Sequence, residues 1–216
     1  MRKLEKLLFG GFVLLCVCGF ALSQKKEFAT KQNGWNLILV NQDYYIPKDY
    51  KIELKPFDNG EAVDSRIYPA LQEMFKDAKD DGVHMFVREG YRTHGEQQEL
   101  WDDKVEEYQE QVLVEFLAKW KAKKWVAIPG TSEHQLGLAV DINADISKSS
   151  SQEVYSWLAQ NAYQYGFIQR YPADKTEITG ISYEPWHYRY VGEDVAREMF
   201  QEGICLEEYV DKTHDS

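Results

Sequence analysis

Apolar positions in the stretch 64–81 recur at helical spacing, with Ile67, Leu71, Met74 and Ala78 on one face and Gly82 closing the run. Residues 83–88 read as a strand. A long charged segment follows, 96–123, whose apolar positions are Leu100, Trp101, Val105, Val112, Phe116 and Trp120; it predicts one helix, broken by Pro129-Gly130. Residues 138–142 predict a strand, 152–165 a helix stopped by Gly166, and 186–191 a further strand. From Glu193 onward the chain reads as helical and acidic. Residues 24–60 are polar, with one strand candidate at 35–40 and turn signals at Pro47, Pro56 and Asn59-Gly60, and read as an extended lead-in packed on the domain. Helices and strands do not alternate regularly enough for a doubly wound sheet. The expectation is a single α+β domain over residues 61–203, with 204–216 as an acidic tail.

The first residues change the picture. Arg2, Lys3 and Lys6 precede an apolar run over residues 7–22, and Ala21 and Ser23 suit cleavage before Gln24. The run is shorter than the ~20 residues a spanning helix needs. Residues 1–23 therefore read as a secretory signal, with a retained N-terminal anchor as the alternative. The chain carries a formal charge of −11, and losing residues 1–23 removes three cations and one anion, leaving −13. Such a charge argues against nucleic acid and membrane surfaces as partners. Of three cysteines only Cys205 would remain, so no internal disulfide can form and a hydrophobic core must carry stability.

Chemistry concentrates in two segments. Ser132-Glu133-His134-Gln135-Leu136-Gly137-Leu138-Ala139-Val140-Asp141 and Glu184-Pro185-Trp186-His187 together offer two imidazoles and a carboxylate for one metal ion, plus a second carboxylate to take a proton. Three protein ligands leave a coordination position open, the minimum for a zinc hydrolase. Donors on one ion lie within about 4 Å of each other, whereas seven residues of straight strand would span roughly 23 Å. The chain must fold back between His134 and Asp141, and Gly137 is suited to that turn. Ala139, on the strand face of Asp141, leaves room beside the carboxylate. Pro185 lacks an N–H and permits Glu184 to sit in a turn beside His187. The donor set suits Zn²⁺, with Co²⁺ or Ni²⁺ as possible occupants.

Other schemes find less support. The chain has no His-Glu-x-x-His and no Gly-x-Ser-x-Gly. Cys205 sits among acids that disfavour a thiolate. His84, His94 and His214 lack partners at recognisable spacing.

With Gly90-Tyr91-Arg92-Thr93, Gln97, Arg170-Tyr171-Pro172, Ile178-Thr179-Gly180 and Tyr183 to Gly192 added in order, the chain resembles the zinc D-alanyl-D-alanine carboxypeptidase family. The likeness is to the VanY-type branch (peptidase M15B), which includes LdcB-like L,D-carboxypeptidases, and covers about residues 60–200. It implies a small antiparallel sheet flanked by helices, with the metal cleft on the sheet. It also implies His134, Asp141 and His187 as zinc ligands, Glu184 as catalytic base, and Arg92 as the cation that stabilises the developing oxyanion. Family members often carry Ser and Thr where this chain has Glu89 and Leu136, which bears on substrate fit rather than chemistry.

A carboxypeptidase must also hold a terminal carboxylate. Ser132 and Gln97 are candidate contacts, Arg170 a weaker one, and Trp186 a candidate wall of the pocket. The expected function is removal of the C-terminal D-alanine from peptidoglycan stem peptides by an exported or surface-held enzyme, with no protein partner implied. D,D- and L,D-cleavage both stay open. A cell-wall endopeptidase is the first alternative and a non-catalytic zinc-binding module the second.

Overall fold

A computed structural model describes residues 27–28 and 34–214. The signal or anchor expected over residues 1–23 lies outside the described residues. Strand β1 (Glu27–Phe28) pairs in parallel with β2 (Tyr44–Tyr45), and β3 (Leu54–Pro56) forms a hairpin with β4 (Ala62–Asp64). Helix α1 (Tyr68–Asp80) follows, then β5 (Met85–Glu89), α2 (His94–Gln109) and α3 (Glu115–Ala122). The second half runs β6 (Ala139–Ala144), α4 (Ser151–Asn161), β7 (Phe167–Gln169), the short α5 (Thr176–Thr179), β8 (His187–Tyr190), α6 (Glu193–Glu202) and α7 (Leu206–His214).

The central sheet has the order β5-β6-β8-β7, antiparallel throughout. Because side chains alternate across a strand, one face of this sheet belongs to the core and the other to the cleft. Val140 and Ile142 of β6 and Tyr188 of β8 are buried against Leu71 and Met74 of α1 and Val154 and Leu158 of α4. Ala139 and Asp141 of β6 and His187 and Arg189 of β8 take the other face. The α+β architecture is the expected one.

Two elements depart from their predicted form. Residues 35–40 make no strand: Trp35–Leu37 is a 3-10 turn, and Ile38 and Val40 reach the core as irregular chain. The expected single helix over 96–123 is two. After α2 the chain reverses through residues 110–114, and Trp101 and Val105 pack against Ala118, Ala122 and Val126 as a satellite core. Of the apolar positions named for that stretch, Leu100, Phe116 and Trp120 are exposed. The stretch from Glu193 onward is helical as expected, in α6 and α7, and Leu206, Tyr209 and Val210 of α7 pack with Met199 and Val191.

Candidate metal centre and active site

The fold-back between His134 and Asp141 is a 3-10 turn, Glu133–Leu136, ended by Gly137 at φ +66°. A Cβ there would lie 2.2 Å from Ile52 Cδ1 and 3.0 Å from the Asp64 nitrogen, so both the dihedral and the space require glycine. The turn returns the chain into β6, where Asp141 lies directly across the ladder from His187 on β8. One turn and one strand pair thus bring three side chains together.

The geometry fixes which atoms face each other. His134 Nδ1 is 2.7 Å from the carbonyl oxygen of Gly90. A carbonyl only accepts, so Nδ1 carries the proton and Nε2 is left with its lone pair for the centre. His134 Nε2 and His187 Nδ1 lie 3.5 and 3.1 Å from Asp141 Oδ1. The three candidate donor atoms all fall within 4.8 Å of one another. Yet Asp141 Oδ1 is buried and makes no hydrogen bond. A buried carboxylate oxygen costs free energy when unsatisfied, and a cation shared with the two imidazoles would satisfy it. The residues fit a zinc ion by donor type, number and convergence.

Glu184 sits in the turn before β8, its Oε2 3.7 Å from His187 Nδ1. Burial chiefly, with Asp141 adding and His187 and Arg92 opposing, pushes its carboxyl up to about 7. Burial works to lower His187, but Asp141 and Glu133 together lift it to about 9. Burial would also raise Asp141, but the charges of His134 and His187 hold it well below the usual carboxylate range. The centre is thus built to hold positive charge.

Arg92 is buried at the cleft wall. Its Nε donates to Glu89 Oε1 at 2.7 Å and its Nη1 to Gln97 Oε1 at 2.5 Å. Glu89, the departure from the family pattern, therefore helps to orient this guanidinium. The Thr93–Glu96 capping box starts α2 so that Gln97 points inward, where its amide nitrogen donates to Ala127 O at 2.7 Å. Both ends of the Gln97 amide are engaged, which places it behind Arg92 rather than against a substrate. Ser132 and Trp186 line the cleft, whose volume is about 320 Å³.

Arg170 is not brought to the cleft. It is fully buried, donating through Nε to Glu133 Oε1 at 2.8 Å and through both terminal nitrogens to Glu207. Its predicted contact with a substrate carboxylate is excluded by that enclosure. Sequence reasoning gave Glu133 no role, yet its Oε1 also accepts from Arg189 Nη1 at 2.8 Å, and its Oε2 is 3.6 Å from His187 Nε2. It stands behind one candidate metal-binding imidazole as Gly90 O stands behind the other. Tyr171, also unassigned from sequence, packs its ring 4.9 Å from that of His187 and lines the cleft. The signal for Glu133 was its place beside His134, and for Tyr171 its place beside Arg170; neither pattern names a role by itself.

Comparison with known proteins gives concordant matches. The family model described as VanY, D-alanyl-D-alanine carboxypeptidase, matches residues 60–193. A D-alanyl-D-alanine carboxypeptidase of Enterococcus faecalis is 54% identical over 189 residues, covering 88% of this chain and 70% of that protein. The structure of a vancomycin-resistance D,D-pentapeptidase VanY variant in complex with Zn(II) superposes with a TM-score of 0.79 at 56% identity, covering 82% and 99% of the two chains. The LdcB LD-carboxypeptidase superposes at 0.70 with 34% identity, covering 88% and 96%.

Proposed function

This chain belongs to the VanY family of D-alanyl-D-alanine carboxypeptidases, and from that premise we propose that it is a zinc carboxypeptidase releasing the C-terminal D-alanine of peptidoglycan stem peptides. The observation that carries the reading is the convergence of His134, Asp141 and His187 beside a buried carboxylate and a buried guanidinium. In this reading the first three residues hold the metal. When bound, zinc supplies Lewis acidity, polarising the scissile carbonyl and lowering the pKa of water toward ~7.

The remaining steps belong to side chains. Glu184 accepts the proton of the attacking water and delivers it to the departing amine. A carboxyl poised near neutrality suits both transfers, and Glu184 is pushed up to about 7. Arg92, held in one orientation by Glu89 and Gln97, offers fixed positive charge to the carbonyl oxygen as the tetrahedral species forms. Ser132 and Trp186 are the remaining candidates for contact with the substrate's terminal residue. Export fits a substrate that lies outside the membrane, so residues 1–23 are read as the segment that takes the chain there. The greater likeness to D,D-enzymes than to the L,D-enzyme favours the D,D bond.

Incubating the zinc-loaded protein with defined pentapeptide and tetrapeptide stems and weighing the products tests this reading. Loss of one alanine from the pentapeptide is expected. No alanine released from either stem would end it. In the same assay Glu184→Gln should retain zinc and lower kcat by roughly 10²–10⁴-fold.

A further inference from the structure

The described residues include fourteen large hydrophobic side chains that are exposed, and six of them fall between residues 113 and 125: Leu113, Val114, Phe116, Leu117, Trp120 and Trp125. Leu113, at the turn between α2 and α3, is 106% exposed and Phe116 72%. Ala118 and Ala122 are buried against α2, so α3 turns Phe116, Leu117 and Trp120 outward. Residues 113–125 carry Lys119, Lys121, Lys123 and Lys124 against one acid, Glu115, which pairs with Lys119. Counting the exposed Glu110 of the turn leaves a local charge of +2 on a chain whose total is −11, with Glu106 and Glu107 exposed in the last turn of α2. Lys124 Nζ lies 4.3 Å from the Trp120 ring centroid. Trp125 belongs both to this patch and to the wall of the metal cleft.

We propose that the α2–α3 turn and the outer face of α3 dock the protein on the surface of an anionic lipid bilayer, with the mouth of the cleft beside the lipid headgroups. Large apolar side chains left exposed together along one short stretch mark an interaction site. Tryptophan and lysine interleaved suit the bilayer interface: rings sit at headgroup depth, and lysine stems lie along apolar surface with their charge among phosphates. A second copy docked through the same face would set four lysines against four. The acidic remainder of the chain does not decide the matter. Beyond ~8 Å charges are screened at physiological salt, so the distant acids matter little and the lysines of α3 need only outweigh Glu110 and Glu115 on the contacting face. No helix among the described residues is long and apolar enough to cross a membrane, and a docking face needs none.

The test uses the full-length, zinc-loaded chain and vesicles of phosphatidylglycerol or phosphatidylcholine whose acyl chains carry bromine, a quencher of tryptophan fluorescence. The apolar run at residues 7–22 could hold the chain on any vesicle, so total binding is uninformative. The quenching that disappears in the W120F/W125F variant reports the patch itself. On phosphatidylglycerol that component is expected in the wild type, to be mostly lost in L113S/F116S, and to need at least about tenfold more lipid in K123E/K124E. Hydrolysis of soluble stem peptide by L113S/F116S should be unchanged. Absent quenching, equal quenching in L113S/F116S, or equal quenching on phosphatidylcholine would each overturn the proposal. So would tip-dependent self-association, or tip-dependent retention on purified wall polysaccharide, without quenching. Fluorescence does not read hydrolysis, so failure here leaves the carboxypeptidase reading standing.

Discussion

Asp141 and His187 face each other across one rung of the sheet, and this pair with His134 explains why so few residues define the centre. Their types were legible in sequence because metal donors are chemically scarce and their spacing demanded a turn that Gly137 could supply. Glu184 allows a prediction with a definite sign. In the proposed role Glu184 must be ionised, and burial chiefly pushes its carboxyl up to about 7, so kcat/KM should rise with pH through an acid limb. A bound dication favours the ionised form, so in the zinc enzyme the limb should fall at or below that value. A pH–rate profile checks it, and Glu184→Gln should abolish the limb along with most of the rate. Arg92→Lys keeps the charge but loses the fork that Glu89 and Gln97 grip, so kcat should fall by about 10²–10³-fold with zinc content unchanged. Arg170 was misread because an arginine's type does not reveal its partners. Its two carboxylates, Glu133 and Glu207, come from segments remote in sequence.

Helix α1 carries its buried residues on one face, so period and position agreed with the folded chain, whereas β6 and β8 are buried on both faces and were readable as short runs rather than by a period. The segment from α2 to α3 was not, because a helix and a hairpin of two helices share much the same composition. What decides is the long-range packing of Trp101 and Val105 on Ala118 and Ala122, which no local window contains. Residues 35–40 failed for the opposite reason: their apolar side chains are buried, but main-chain partners for a ladder are lacking at those positions. The turn ending at Gly137 carries its own test. Gly137→Ala meets both a positive φ and the 3.0 Å approach of the Asp64 nitrogen, so urea unfolding should show a loss of more than ~1 kcal/mol. Because that turn aims His134, zinc affinity should fall with it.

Across the molecule, a buried ionic network joins the centre to the last helix. Glu133 receives Arg170 and Arg189 behind His187, and Arg170 in turn is clamped by Glu207 at the start of α7. Arg189 also donates to the carbonyls of Asn36 and Ile38, tying the lead-in to the same hub. Two cations and two carboxylates balance there, so removing one member strands the charge of another. Arg170→Met should lower unfolding free energy by ~3–5 kcal/mol, measured by denaturant titration of the metal-loaded protein. Net charge averages an acidic chain over one stretch, residues 113–125, that is locally basic and aromatic. The proposed activity requires one metal held between the turn, β6 and β8, and anomalous diffraction at the zinc edge tests that most directly. A single peak about 2.0–2.2 Å from His134 Nε2, an Asp141 carboxylate oxygen and His187 Nδ1 is the predicted result. A zinc-loaded crystal with no peak there, or with its peak on other residues, would contradict it.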